Sequence, residues 1–104
     1  MANDKLAELR AQIDAANAEL LRQLNRRLQL TDAIWKTKAE AGLPARVPDR
    51  EASMLASLTS ANKGPMSDAE VRRVFCLLFR IAVHHMEPEA SEAASPREAR
   101  DDQV

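Results

Sequence analysis

The chain has 104 residues, 30% of them charged, with a formal net charge of −1. That length suits one domain, and the balanced charge lacks the basic excess of a nucleic-acid binder. Two glycines, one tryptophan and two phenylalanines, set against abundant alanine and leucine, favour helices over a β-sandwich.

The first segment is the most informative. Leu6, Leu9, Ile13, Ala16, Leu20, Leu24 and Leu28 recur at spacings of three and four, which makes one apolar stripe on a helix. Asn3 or Asp4 is expected to cap its start, and Gly42 with Pro44 just beyond is a helix stop. A helix from about residue 4 to about residue 41 has a length of roughly 55 Å. A compact domain of this size has a radius of gyration near ~13 Å, so the remaining chain is too short to cover such a stripe. The length predicts a partner that supplies the missing apolar surface, and an identical chain is the default. A long coiled coil is the plainer alternative, but Ile34 and Trp35 continue the apolar character without a clean heptad.

Leu43 to Pro48 is read as a loop bracketed by two prolines. Asp49 is expected to cap a second helix with Met54, Leu55 and Leu58 on its apolar face, ending at Asn62, Lys63, Gly64 and Pro65. Ser67 and Glu70 make a capping box for a third helix, whose apolar positions are Val71, Val74, Phe75, Leu78, Ile81, Ala82 and Met86. From Pro88 the chain is polar and without apolar periodicity, so residues 88–104 are expected to be a disordered tail to a helical domain over 1–87.

Three cationic residues lie along the long helix near its stripe: Arg10, Arg27 and Lys38. Arg27 and Lys38 fall within roughly 20° of one face, whereas Arg10 lies about 100° round and roughly 25 Å away. One helix does not bring Arg10 to the other two; a crossing copy from a second subunit does. Arg50 and Glu51 add a cation and a carboxylate at the start of the second helix. The alternative for all five is a solvated surface charge on a snorkelling stem.

The run from Leu6 to Pro44, followed by PDRE and NKGPMSDAEVRRVF, resembles the all-α family of chorismate mutases. The matching pieces are Leu9-Arg10-x-x-Ile13-Asp14, Arg26-Arg27, Lys36-x-Lys38, Gly42-x-Pro44 and Arg50-Glu51, in order and at the family's spacings. The similarity extends from about Leu6 to Glu87. It implies an all-α fold of three helices per subunit, one very long, in an intertwined helical homodimer with shared active sites. It implies chorismate, a small dianion, as substrate, and its conversion to prephenate. By resemblance Arg10 reaches the neighbouring subunit's site and joins Arg27 in holding the two carboxylates. Lys38 bonds the ether oxygen and a carboxylate, Arg50 supports the anion site, and Glu51 faces the ring hydroxyl. The reaction is pericyclic, so no nucleophile, acid–base pair, metal or cofactor is expected. The site must compact the substrate and stabilise charge growing on the ether oxygen.

Four positions depart from the family pattern. Val47 stands where an acidic residue usually meets the ring hydroxyl, and Trp35 where a glycine is common. Ala82 takes a Ser-like position, and Met86 takes the place of a Gln or Glu at the ether oxygen, with Glu87 next to it. An absent oxyanion donor costs on the order of a hundredfold in rate, so a slow mutase is expected. Two alternatives stay open: an isochorismate pyruvate lyase or aminodeoxychorismate mutase relative, and a helical dimer that is non-catalytic or dependent on a partner. Some small family members gain activity by docking onto a shikimate-pathway enzyme.

The remaining residues have plainer roles. Cys76, the single cysteine, permits no intrachain disulfide and suggests a reducing compartment; lying among Phe75, Leu77 and Leu78, it is read as a small core residue. His84 and His85 point to different faces and are read as surface or packing residues. Trp35 is expected to pack at the dimer seam, and Asp14 to lie on the helix surface. The N-terminus lacks the apolar core of a signal peptide, and no apolar run reaches the roughly 20 residues of a membrane span. A cytoplasmic protein with no membrane or nucleic-acid partner is expected.

Overall fold

The structure, a computed structural model, describes residues 1–44 and 47–86. Glu87 and the tail at 88–104 lie outside the described residues, as do Ala45 and Arg46 in the first loop. The described elements are three α-helices: α1 Ala2–Ala41, α2 Pro48–Ala61 and α3 Asp68–Met86. The all-α expectation therefore holds. A 40-residue helix dominates the shape, and the longest dimension is 61 Å. The radius of gyration of 17.4 Å exceeds the ~13 Å of a compact domain of this size, because α1 projects beyond the other two helices.

The helix ends follow from local chemistry, with two corrections. Met1, not Asn3 or Asp4, occupies the cap of α1, and no side chain bonds there. Asp4 instead sits one turn in, 3.8 Å from the terminal ammonium, a placement the helix dipole also favours. Val47, not Asp49, caps α2, because Pro48 with its fixed φ and missing N–H takes the first helical position. Val47 serves through its backbone, its carbonyl accepting from the Arg50 N–H at 3.0 Å. The stop of α1 lies where it was read. Gly42 turns left-handed at φ 71°, and the Leu43 N–H then reaches back to the Lys38 carbonyl at 2.8 Å.

The turn from α2 to α3 is tied by Asn62, whose Oδ1 accepts from the Gly64 N–H at 3.0 Å while its Nδ2 donates to the Met66 carbonyl at 2.7 Å. The capping box closes α3 as the sequence predicts. The Glu70 N–H donates to Ser67 Oγ at 3.1 Å and the Ser67 N–H to Glu70 Oε1 at 2.9 Å. Those bonds, the backbone one first, hold the Glu70 carboxyl below its usual value of 4.5.

Helix α3 is the centre of packing: it lies against both α1 and α2. Its buried side chains are Val71, Phe79 and Ala82, with Phe75, Leu78 and Met86 half-buried beside them. Phe79 was absent from the predicted apolar face, yet it stands one turn past Phe75 and belongs to the same stripe. Cys76, Val74 and Ile81 fall roughly 100° or more from that stripe's centre, so all three are exposed rather than core. His84, His85 and Asp14 are exposed as well.

Only the C-terminal half of α1 is covered. Leu24, Arg27, Leu28, Thr31, Trp35 and Lys38 are half-buried, and every residue from Ala2 to Gln23 is exposed. The apolar stripe thus emerges from under α3 and runs on uncovered through Leu20 (56% exposed), Ile13 (61%), Leu9 and Leu6. No helix among the described residues is long and apolar enough to cross a membrane.

Candidate functional site

A cavity of about 420 Å³ opens where the covered half of α1 meets α3 and the start of α2. Each helix contributes one face. From α1 come Arg27, Thr31, Trp35 and Lys38, spaced three and four residues apart. From the start of α2 come Arg50, Glu51 and Met54, together with Val47 just before it. From α3 come Phe79, Ala82 and Val83. Helices α1 and α2 both pack against α3, which is why residues so separated in sequence line one cavity.

The charged residues of the site are three cations, Arg27, Lys38 and Arg50, and one carboxylate, Glu51. The other walls are almost wholly apolar, and apolar walls strengthen a cation's pull on an anion by excluding water. Arg27 is held from the side. Its Cζ lies 5.4 Å from the centroid of the Phe79 ring, within cation–π range. The Thr31 hydroxyl donates to the Arg27 carbonyl at 2.8 Å, one turn back on the same helix. Lys38 stands in the last turn of α1, where the helix dipole favours a cation. The arrangement suits an organic dianion with an apolar body and one hydroxyl or cationic group to face Glu51.

Six of the eight residues singled out from the sequence line this cavity: Arg27, Lys38, Val47, Arg50, Glu51 and Ala82. Two do not. Met86 is half-buried one turn beyond Ala82, and Arg10 is exposed on the uncovered half of α1, about 25 Å from Arg27 along the axis. Trp35 forms part of the cavity wall. Phe79, Thr31 and Val83 were not read as site residues. The spacing of Phe79 from Phe75 and of Thr31 from Arg27 was the signal available for the first two.

The chain matches the family described as chorismate mutase type II over residues 9–87. It is 40% identical over 60 residues to a bifunctional chorismate mutase/prephenate dehydratase of Aquifex aeolicus, and 49% identical over 53 residues to a T-protein of Enterobacter agglomerans. These stretches are 58% and 51% of this chain but only 17% and 14% of those larger proteins, so the chain spans a small part of the curated relatives it matches. Among solved structures, form I of a chorismate mutase from Thermus thermophilus superposes with a TM-score of 0.73 at 38% identity, over 75% of this chain and 98% of that one. Form II of the same protein gives 0.74, over 76% of this chain and 90% of that one. Fold and sequence therefore agree, and the chain belongs to the chorismate mutase type II family.

Proposed function

We propose that the chain is a chorismate mutase, an isomerase that rearranges chorismate to prephenate in the cavity between its helices, with each site completed by a second copy of the chain. The observation that carries this reading is the meeting of Arg27, Lys38, Arg50 and Glu51 on one apolar-walled cavity, three cations to one carboxylate.

The reaction asks little covalent chemistry of the protein. One C–C bond forms as the ether C–O bond breaks, within a single molecule and with no proton transferred. The substrate must be held compact with its two reacting ends in contact, and Arg27 with Arg50 does this by gripping carboxylates. Lys38 supplies a positive charge to the ether oxygen, where negative charge grows as the bond breaks. Glu51 accepts a hydrogen bond from the ring hydroxyl and so fixes the ring's orientation. The apolar walls of Trp35, Ala82 and Val83 exclude water from the forming bond.

The second copy follows from the uncovered half of α1. Burying side chains such as Ile13 and Leu20 contributes on the order of 1.5–3 kcal/mol each, so an identical helix crossing this stripe is strongly favoured. A crossing copy also brings its Arg10 to a cavity that α1's own Arg10 does not reach. Wild-type protein incubated with chorismate, followed by absorbance and product chromatography, should yield prephenate from a species that sizes as a dimer. A parallel incubation with isochorismate separates the neighbouring chemistry, because Val47 places an apolar side chain on the cavity wall where the family pattern has an acid. Salicylate and pyruvate from that arm, with chorismate untouched, would replace the mutase by a lyase. Turnover appearing only after a shikimate-pathway enzyme is added would assign the chain to a partner-dependent class.

A further inference from the structure

The pocket cations are not held alike. The Arg27 guanidinium has no hydrogen bond or ion pair to another side chain among the described residues, and its partner there is the ring of Phe79. Phe79 is 8% exposed, fixed by the packing of α3 against α1, while Arg27 itself is half-buried. The contact therefore joins a long, charged side chain to an immobile apolar one across the helix interface that forms the cavity's floor.

This manner of holding has a chemical consequence. A carboxylate partner would orient an arginine by consuming two of its N–H groups and cancelling its charge. An aromatic face orients the guanidinium through its π cloud and leaves all five N–H donors and the full charge for a ligand. Arg27 is thus fixed before the ligand arrives, and the entropy of ordering a long side chain is not charged to binding.

We propose that Phe79 is a positioning residue for substrate binding: its ring holds the Arg27 guanidinium in the plane from which it grips a substrate carboxylate. The proposal rests on the reading of this cavity as the chorismate site. It concerns ground-state and transition-state binding equally, because the carboxylate is present throughout the reaction. Loss of the ring therefore raises KM more than it lowers kcat.

The test compares Phe79→Leu, which keeps an apolar side chain of similar size, with Phe79→Tyr, which keeps the ring. Phe79→Leu should raise KM for chorismate by about tenfold with kcat nearly unchanged, and Phe79→Tyr should restore the wild-type value within about twofold. In an Arg27→Lys background the same Leu substitution should have a clearly smaller effect, since the planar fork is already gone. Nuclear magnetic resonance gives a readout that needs no turnover. The Arg27 side-chain Nε–H should carry a ring-current shift that Phe79→Leu abolishes and Phe79→Tyr retains. An unshifted Arg27 signal in the wild type overturns the contact itself. An unchanged KM in Phe79→Leu, an equal rise in Phe79→Tyr, or an undiminished effect in the Arg27→Lys background overturns the positioning role. If the wild type leaves chorismate unchanged, the functional reading fails instead. Prephenate binding, followed through the fluorescence of Trp35 in the cavity wall, then takes the place of KM, and a protein that binds neither compound overturns both readings.

Discussion

Arg27 and Lys38 stand on one face of α1, about 16 Å apart along its axis, and both border the same cavity. A ligand that spans the cavity between them meets both cations. The proposed roles differ: Arg27 grips a carboxylate in both ground and transition states, while Lys38 meets charge that exists only as the ether bond breaks. Arg27→Ala should lower kcat/KM by about a hundredfold or more, with a large share in KM. Lys38→Ala should lower kcat by about 100- to 1,000-fold with a smaller effect on KM. Steady-state kinetics on both variants checks this, with circular dichroism to show that the helices persist. Near-normal rates in both would remove the site assignment.

The separation of Arg10 from Arg27 on one helix yields a second expectation. If each site takes Arg10 from the neighbouring subunit, Arg10→Ala and Arg27→Ala homodimers have no complete site. A heterodimer of the two has one, built from the Arg27 of one chain and the Arg10 of the other. Mixing the two inactive variants under exchange conditions should recover about one quarter of the wild-type rate, since half of the dimers are mixed and each has one of two sites. No recovery, with exchange verified by mass-tagged subunits, would show that Arg10 serves its own chain's site or none. Ile13→Glu, which places a charge in the uncovered stripe, should shift the sizing profile to monomer and remove activity together.

How much of this was legible before the structure depends on what each residue's neighbours are. The three helices, the Gly42 stop and the Ser67–Glu70 box follow from spacing and turn chemistry within a few residues of one another. The cations of the cavity were legible because Arg27 and Lys38 share a face of one helix. Phe79 was not, because its role depends on which side of α3 meets α1, and that is set by packing between distant segments. Cys76 shows the same limit from the other side. Its neighbours in sequence are apolar, but its place about 100° round the helix leaves it in solvent. The caps at Asn3, Asp4 and Asp49 failed for a local reason: each helix began one residue or more earlier than a polar cap allowed, at Pro48 because proline is pre-formed for the first turn.

Met86 lies one turn past Ala82, which borders the cavity, and near the same face of α3, so a polar side chain of equal length there brings a donor to that end of the cavity wall. The family pattern has a donor there for the ether oxygen. Met86→Gln should therefore raise kcat by about tenfold or more if that donor limits the rate, with KM little changed. An unchanged or lower kcat would mean that Lys38 already meets the developing charge alone, or that another group fills the place.

The capping box gives the fold a pH dependence whose sign is fixed. Glu70 is held below 4.5 in the folded chain by bonds to the Ser67 backbone and side chain, and relaxes to its ordinary value on unfolding. Its contribution to stability is thus fully present above about pH 5 and fades as pH falls through the lower, folded value. Replacing Ser67 by alanine removes the cap of the helix against which both others pack, and should lower the melting temperature by several degrees near neutral pH. Glu70→Gln keeps the reciprocal bond to the Ser67 N–H without a titrating group. Thermal melts between about pH 3 and pH 7 should show the wild type losing stability on the acid side relative to Glu70→Gln, with the two curves converging at the acid end. Parallel curves across the whole range would mean that the carboxylate gains nothing from its place at the start of α3.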